Sequence, residues 1–259
     1  MIREIGSVNF NRKIAQNFFE AEIISPNISK NCKPGQFVNI LPNPDWDKVM
    51  RRPMSVSHQD GNVIRIIYKV VGPGTQFINN WKENQKVDII GPLGNYWENW
   101  ESHLPILMGG GVGIAPILNL HNYLNSNDIE HVLIMGARNK AEHFLEPSQN
   151  IFITTDDGSL GIHGRITDAL SHFDYEAKNP KIYSCGPPLM MEAIRKLAIK
   201  KNIKCDLALE RLMACGFGIC QGCTVEKVEK HNCDSSYRSK FALACMDGPI
   251  FSADEIVEC

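Results

Sequence analysis

The stretch LPILMGGGVGIAPILNL, residues 104–120, contains no charged side chain, and its reading decides the architecture. As one unbroken helix it would approach the length and apolarity of a membrane span. Pro105 and Pro116, with Gly109, Gly110, Gly111 and Gly113 between them, rule that out, because proline removes an amide donor and glycine loosens the backbone. The stretch reads instead as a strand over 105–108, a glycine turn, and the start of a helix. No membrane segment is expected. Outward from it, strand candidates at 131–136, 150–155, 181–185 and 205–210 alternate with helical segments, the pattern of a parallel α/β sheet. The clearest helix is 187–201, where Met190, Ile194 and Leu197 share a face and prolines mark the start.

Upstream the pattern changes. Short strands at 17–24, 35–41, 53–58, 62–71 and 86–91, many separated by Pro, Gly or Asn clusters, predict an antiparallel barrel or sandwich, with one short helix over 75–81. Downstream of Glu210 the alternation stops. The final segment holds six of the nine cysteines and is too short for a substantial core of its own, so a metal centre would supply its cross-links. The expected organisation is multidomain, α/β plus β, with units at 1–100, 101–211 and 212–259.

The chain has 259 residues, 27 Lys and Arg against 29 Asp and Glu, and a formal charge of -2. No basic run interleaved with aromatics suggests a nucleic-acid partner. The N-terminal MIREIGSVNF has no apolar stretch or cleavage site, so a cytoplasmic protein is expected. An odd number of cysteines in a chain of this size favours thiolate ligands or buried thiols over disulfides. Eight histidines are scattered without ligand spacing.

Cys215, Cys220 and Cys223 form a C-x4-C-x2-C frame. Zinc sites join two tight hooks or a hook and a histidine pair, and only one hook is present. The frame, followed by a distant cysteine, is the plant-type [2Fe–2S] spacing. Gly216, Gly218 and Gly222 suit a loop that must turn tightly and aim N–H groups at sulfur. Cys233, Cys245 and Cys259 compete as fourth ligand. Cys245 is the choice, because it follows apolar FALA and precedes the turn-like MDGP.

MGGGVGIAP (108–116) and SCGPPLM (184–190) are both strand, sharp turn and helix start. Turns at the carboxyl ends of strands face one crevice in an open α/β sheet, so Gly110, Gly111 and Gly113 with Cys185, Gly186 and Pro187 are candidates to hold a nucleotide. The first motif departs from the dinucleotide fingerprint, with Pro116 where Gly or Ala is expected, and packing alone would also explain its glycines. RRPMSV (51–56) and IYKVVGPGT (67–75) offer a cation for phosphate at Arg52, a hydroxyl at Ser55 and backbone donors at Gly74 and Thr75. Each is also an ordinary strand or turn residue.

These four motifs, in this order, resemble the ferredoxin-reductase-like flavoproteins. The C-terminal ERLMACGFGICQGC…CMDGPIF is similar to the electron-transfer subunits of two-subunit, NADH-dependent dihydroorotate dehydrogenases, and the resemblance spans essentially the whole chain. It implies an FAD-binding barrel with contacts at Arg52, Pro53, Met54, Ser55, Ile67, Tyr68, Lys69, Gly74 and Thr75, and an NAD-binding α/β unit. It also implies a small [2Fe–2S] domain ligated by Cys215, Cys220, Cys223 and Cys245. Met54 stands where the wider superfamily often has an aromatic residue that stacks on the flavin, and the gap between Cys223 and Cys245 is long for such a subunit. NADH gives up two electrons at once and a cluster takes one, so a flavin between them is required; no general acid or base is expected. Arg138 and Lys140 could meet a 2′-phosphate, whereas the resemblance implies NADH. The cluster flanks, Phe217 and Ile219 with Ile250 and Phe251, are expected to form an apolar docking face. The expected partner is an FMN-containing dihydroorotate dehydrogenase catalytic subunit in a heterotetramer. The alternatives are an NAD(P)H–ferredoxin or sulfide-linked reductase, and a non-enzymatic zinc-stabilised module.

Overall fold

A computed structural model describes residues 1–43, 50–228 and 236–259. Alternation of apolar and polar residues over the first hundred positions produces a closed barrel. Its strands are β1 (Ile2–Ala15), β2 (Phe18–Ile24), β3 (Phe37–Leu41), β4 (Arg52–Asp60), β5 (Val63–Tyr68) and β6 (Lys86–Leu93), in the order β1-β2-β5-β4-β3-β6. Val8, Ile23, Val38, Ile40, Val56, Ile64, Ile66 and Ile89 fill the interior, and closure leaves no edge to aggregate. β1 is absent from the sequence-based expectation because polar and charged residues obscure its alternation. Arg3 pairs with Asp88 at 2.7 Å, Arg12 with Glu20 at 2.7 Å, and Glu4 accepts from Ser25 Oγ at 2.6 Å. Two short helices, α1 (Pro26–Asn31) and α2 (Pro73–Asn79), accompany the barrel. The second begins two residues before the expected start, since Pro73 has the backbone angle of a first helical position.

The second unit is a seven-stranded sheet in the order β10-β9-β8-β7-β11-β12-β15. Its strands are β7 (Leu104–Gly110), β8 (Val132–Ala137), β9 (Ile151–Thr155), β10 (Ile162–His163), β11 (Pro180–Cys185), β12 (Lys204–Ala208) and, from the end of the chain, β15 (Ile250–Ser252). All pairings are parallel except β12 with β15. The helices α3 (Ile114–Ser126) and α4 (Pro188–Lys201) cover it, while the β10–β11 connection uses 3₁₀ turns at 166–172 and 176–178 in place of an α-helix. On α4 the buried stripe is Met191, Ile194 and Ala198, with Met190 and Leu197 half-buried beside it. That corrects the expected Met190–Ile194–Leu197 face by a fraction of a turn. Among the described residues no helix is long and apolar enough to cross a membrane.

The C-terminal segment forms a hairpin of β13 (Thr224–Glu226) and β14 (Phe241–Leu243), with α5 (Tyr237–Lys240) before the second strand. Cys223, Val225, Ala242 and Cys245 share a core with Ile106, Ile134 and Leu207 of the large sheet. The segment too short to build an interior alone thus uses its neighbour's. Barrel and sheet also interlock. Gln16 N donates to Ala141 O at 2.8 Å, the Phe18 and Phe144 rings lie 5.6 Å apart, and Asn122 Nδ2 sits 3.2 Å from His58 Nδ1.

Candidate functional site

The four cysteines come as two pairs. Cys223 and Cys245, both buried, place their sulfurs 3.3 Å apart. Cys215 and Cys220 flank one loop, where the amides of Phe217 and Cys220 both donate to Cys215 Sγ at 3.5 Å. Burial raises the Cys215 thiol, but those donors outweigh it and hold it at about 7. Burial, aided by Cys223 alongside, pushes Cys245 up to about 12. As thiols the two sulfurs share a weak S–H···S hydrogen bond; as thiolates so close together they would need a cation between them. Among the described residues no three His, Cys, Asp or Glu side chains converge on a single ion position. Two pairs are what a two-iron cluster takes, two thiolates to each iron. The residues fit the cluster. Cys233 lies outside the described residues. The expected docking flanks are only half right: Ile219 is 77% exposed and Phe217 half-buried, but Ile250 and Phe251, each 7% exposed, are committed to β15. Leu212 and Met246 are instead exposed apolar residues of this segment, at 93% and 55%.

The strands next to this loop carry the proposed flavin contacts. β3 and β4 pair with Asn39 opposite Pro53 and Phe37 opposite Ser55, and residues directly opposite share a face. Val38 and Ile40 fill the barrel, so Phe37, Asn39, Pro53 and Ser55 all lie on its outer face. Met54, opposite Val38, packs against the barrel core. Arg52 Nη1 donates to the carbonyls of Met50 and Arg51 at 3.1 and 3.2 Å, and its chain covers Gly74, where a Cβ would stand 2.6 Å from Nε. Only glycine lets the cation approach the first turn of α2 so closely. Thr75 is buried there, its Oγ1 accepting from the amides of Val71 and Gly72 at 2.9 and 3.2 Å. Ile67 packs on Phe18 and Ala115, and the buried Tyr68 donates its hydroxyl to Asn11 Oδ1 at 2.8 Å. Both side chains are spent on packing. Two residues outside the sequence-based candidates lie on these strands. Asn39 Oδ1 and Ser57 Oγ are buried without a hydrogen-bond partner, a costly condition that a polar heterocycle would relieve. A lone Asn within the apolar GQFVNIL was the one available signal. The residues fit a flavin.

The nucleotide-side candidates are brought into contact. β7 and β11 are neighbours, with Cys185 opposite Gly109. A Cβ on Gly113 would stand 2.5 Å from Gly186 N, so the two turns touch rather than face each other across a gap. Gly111 adopts φ +54, and Pro187 lies beside it. Burial, then Glu210, pushes the Cys185 thiol up to about 12, so it is neutral at pH 7. The Arg138 guanidinium is bound by Glu142 and Lys140 N donates to Ser159 Oγ at 2.8 Å. Glu142, a third residue absent from the candidates, is buried, and its carboxyl is held below its usual range, chiefly by the hydrogen bond from Arg138.

Known proteins match this arrangement along its length. Residues 210–257 match the iron–sulfur cluster binding domain of dihydroorotate dehydrogenase B, and residues 107–196 the oxidoreductase NAD-binding domain. Dihydroorotate dehydrogenase B (NAD(+)), electron transfer subunit, from Fusobacterium nucleatum subsp. nucleatum is 33% identical over 96% of both chains. Its counterpart from Caldanaerobacter subterraneus subsp. tengcongensis is 34% identical over 95% of both. The NADH-dependent reduced ferredoxin-NADP oxidoreductase structure superposes with a TM-score of 0.82 at 29% identity, covering 98% of this chain and 90% of that one. A Neisseria gonorrhoeae ferredoxin NADP+ reductase with bound FAD and NADP shares the fold at 16% identity, with a TM-score of 0.61 over 76% of this chain and 91% of that one. The expected cofactors, FAD, a [2Fe–2S] cluster and NAD(H), agree with these matches. With a third of its residues identical over nearly its whole length, the chain belongs to the family of electron transfer subunits of dihydroorotate dehydrogenase B (NAD(+)).

Proposed function

We propose that this chain takes a hydride from NADH and hands the electrons on singly, through FAD and then a [2Fe–2S] cluster on Cys215, Cys220, Cys223 and Cys245, to the FMN of a dihydroorotate dehydrogenase catalytic subunit. The assembly is a heterotetramer in the cytoplasm, and the chain works as three units, 1–100, 101–211 and 212–259. Bound FAD supplies the conversion from two-electron to one-electron chemistry. Arg52 and the Gly74–Thr75 turn hold its phosphates, and Pro53, Met54 and Ser55 with the main chain at Ile67, Tyr68 and Lys69 hold the rest. Gly110, Gly111, Gly113, Cys185, Gly186 and Pro187 orient the nicotinamide nucleotide. The observation that carries this reading is the shared outer face of β3 and β4, where Pro53 and Ser55 of the proposed flavin site lie beside Asn39, whose amide holds the cluster loop.

The exposed Leu212, Ile219 and Met246, on the segment that carries the exposed Cys220, supply the docking face for the catalytic subunit. The test is to mix the purified chain with that subunit and measure co-elution and NADH-dependent reduction of orotate. Ile219→Asp should impair both while leaving NADH oxidation by an artificial dye intact. The 29% identity to the ferredoxin-linked structure favours a second reading, an NAD(P)H–ferredoxin reductase. It replaces the first if the chain neither co-elutes nor couples yet reduces a ferredoxin efficiently alone.

A further inference from the structure

Asn39 is fully committed to the junction between barrel and cluster loop. It is 1% exposed, its Nδ2 donates to Cys215 O at 2.8 Å, and its Oδ1 is buried with no partner. The fit is tight on the loop side as well, since Gly216 sits at φ +79 and any Cβ there would collide with the Asn39 amide. Its position on β3 faces Pro53 on β4. One planar amide therefore stands between the backbone of a cluster cysteine and the strand assigned to the flavin.

We propose that Asn39 is the positioning residue that sets the flavin against the cluster: its N–H group fixes the Cys215 carbonyl, and its Oδ1 accepts a hydrogen bond from the bound flavin. The proposal rests on the cofactor assignment above. The donor half holds the 215–220 loop in the conformation that directs the Phe217 and Cys220 amides at Cys215 Sγ. Hydrogen bonds to sulfur are one of the levers on cluster potential. The acceptor half removes the desolvation cost of an otherwise orphaned carbonyl.

The test compares Asn39→Ala and Asn39→Asp with the parent, all purified anaerobically with iron, sulfide and FAD measured. Asn39→Ala should retain the cluster, alter its electron paramagnetic resonance spectrum and midpoint potential, and weaken FAD retention by about tenfold, the equivalent of one hydrogen bond. Asn39→Asp is isosteric, keeps an acceptor and, ionised at alkaline pH, loses the donor. It should alter the cluster signal while FAD retention stays at the parent level, and it carries the test if the alanine variant does not fold. Cluster spectrum and potential equal to the parent in both variants would overturn the proposal, as would unchanged FAD retention in Asn39→Ala. Failure of the underlying assignment looks different: the parent itself would hold no iron and sulfide, or Cys215→Ser would retain them.

Discussion

Lys69 at the end of the barrel strand β5 and Glu142 in the loop after the sheet strand β8 meet across the junction of the two units, Nζ 3.8 Å from Oε1. Glu142 also binds Arg138 and is itself 4% exposed. A buried carboxylate between two cations costs free energy to desolvate and is worth its place only while charged. Glu142→Gln keeps the shape and removes the charge, and should lower stability by about 1–2 kcal/mol at neutral pH, read from urea unfolding. The Glu142 carboxyl is held below its usual range by Arg138, with Lys69 helping against burial. Its stabilising effect is therefore present above the ordinary carboxylate range and lost as pH falls through the lower folded value. Parent and variant should converge in acid; equal stability at pH 7 would show the pair to be idle.

His121 and His131 form a buried chain in which His121 Nδ1 lies 2.8 Å from His131 Nε2, His131 Nδ1 2.7 Å from Ile129 O, and Asn125 Nδ2 3.0 Å from His121 Nε2. One tautomer pattern satisfies every atom: His131 donates to Ile129, His121 to His131, and Asn125 to His121. A proton on His121 Nε2 would break it. Burial, then His131, lowers His121 to about 4, and burial lowers His131. The unfolded chain takes up protons below about 6.5 while the folded one resists, so stability is full above that pH and falls towards pH 4. The slope for His121 should reach about 1.4 kcal/mol per pH unit. His121→Gln should flatten the pH profile of unfolding, and an unaltered slope would remove the pair from this role.

The paired cysteines predict a brown protein after anaerobic purification, with about two iron and about two acid-labile sulfide per chain. Cys245→Ser should lose the colour, because Cys245 shares a buried sulfur contact with Cys223. Cys233→Ser should keep it. The reverse outcome would move the fourth ligand to Cys233, and one zinc with no labile sulfide would end the cluster assignment.

Arg52 lies against Gly74 at the first turn of α2, which supports the proposal that its guanidinium is the cation for a flavin phosphate. Arg52→Ala should weaken FAD retention by about ten- to a hundredfold, the worth of a charge-assisted hydrogen bond. Dialysis followed by flavin absorbance measures it. Retention equal to the parent would place the phosphates elsewhere.

Local signals were legible in the sequence. The C-x4-C-x2-C spacing, the glycine turns at 109–113 and 185–187, and the period of the strands all depend on residues a few positions apart, and side-chain chemistry at that range follows from composition and order. The order of the motifs was enough to indicate the family. Even there, strand β1 escaped, because its ion pairs put charge where a polar and apolar alternation would otherwise have shown.

What only the tertiary structure decided is which distant residues share a face. Asn39 and Cys215 are 176 positions apart, and nothing in GQFVNIL says that its asparagine points at a cysteine loop. Barrel closure makes β3 the neighbour of β4, and the pairing of Asn39 with Pro53 puts one side chain beside both proposed cofactor sites. The same holds for Ile250 and Phe251, apolar residues close to the cluster in sequence that became the strand β15 paired with β12. Met246 and Leu212 were left exposed in their stead. An apolar residue is drawn to whichever surface the assembled fold offers it, and that surface exists only once strand register, a long-range property, has been set.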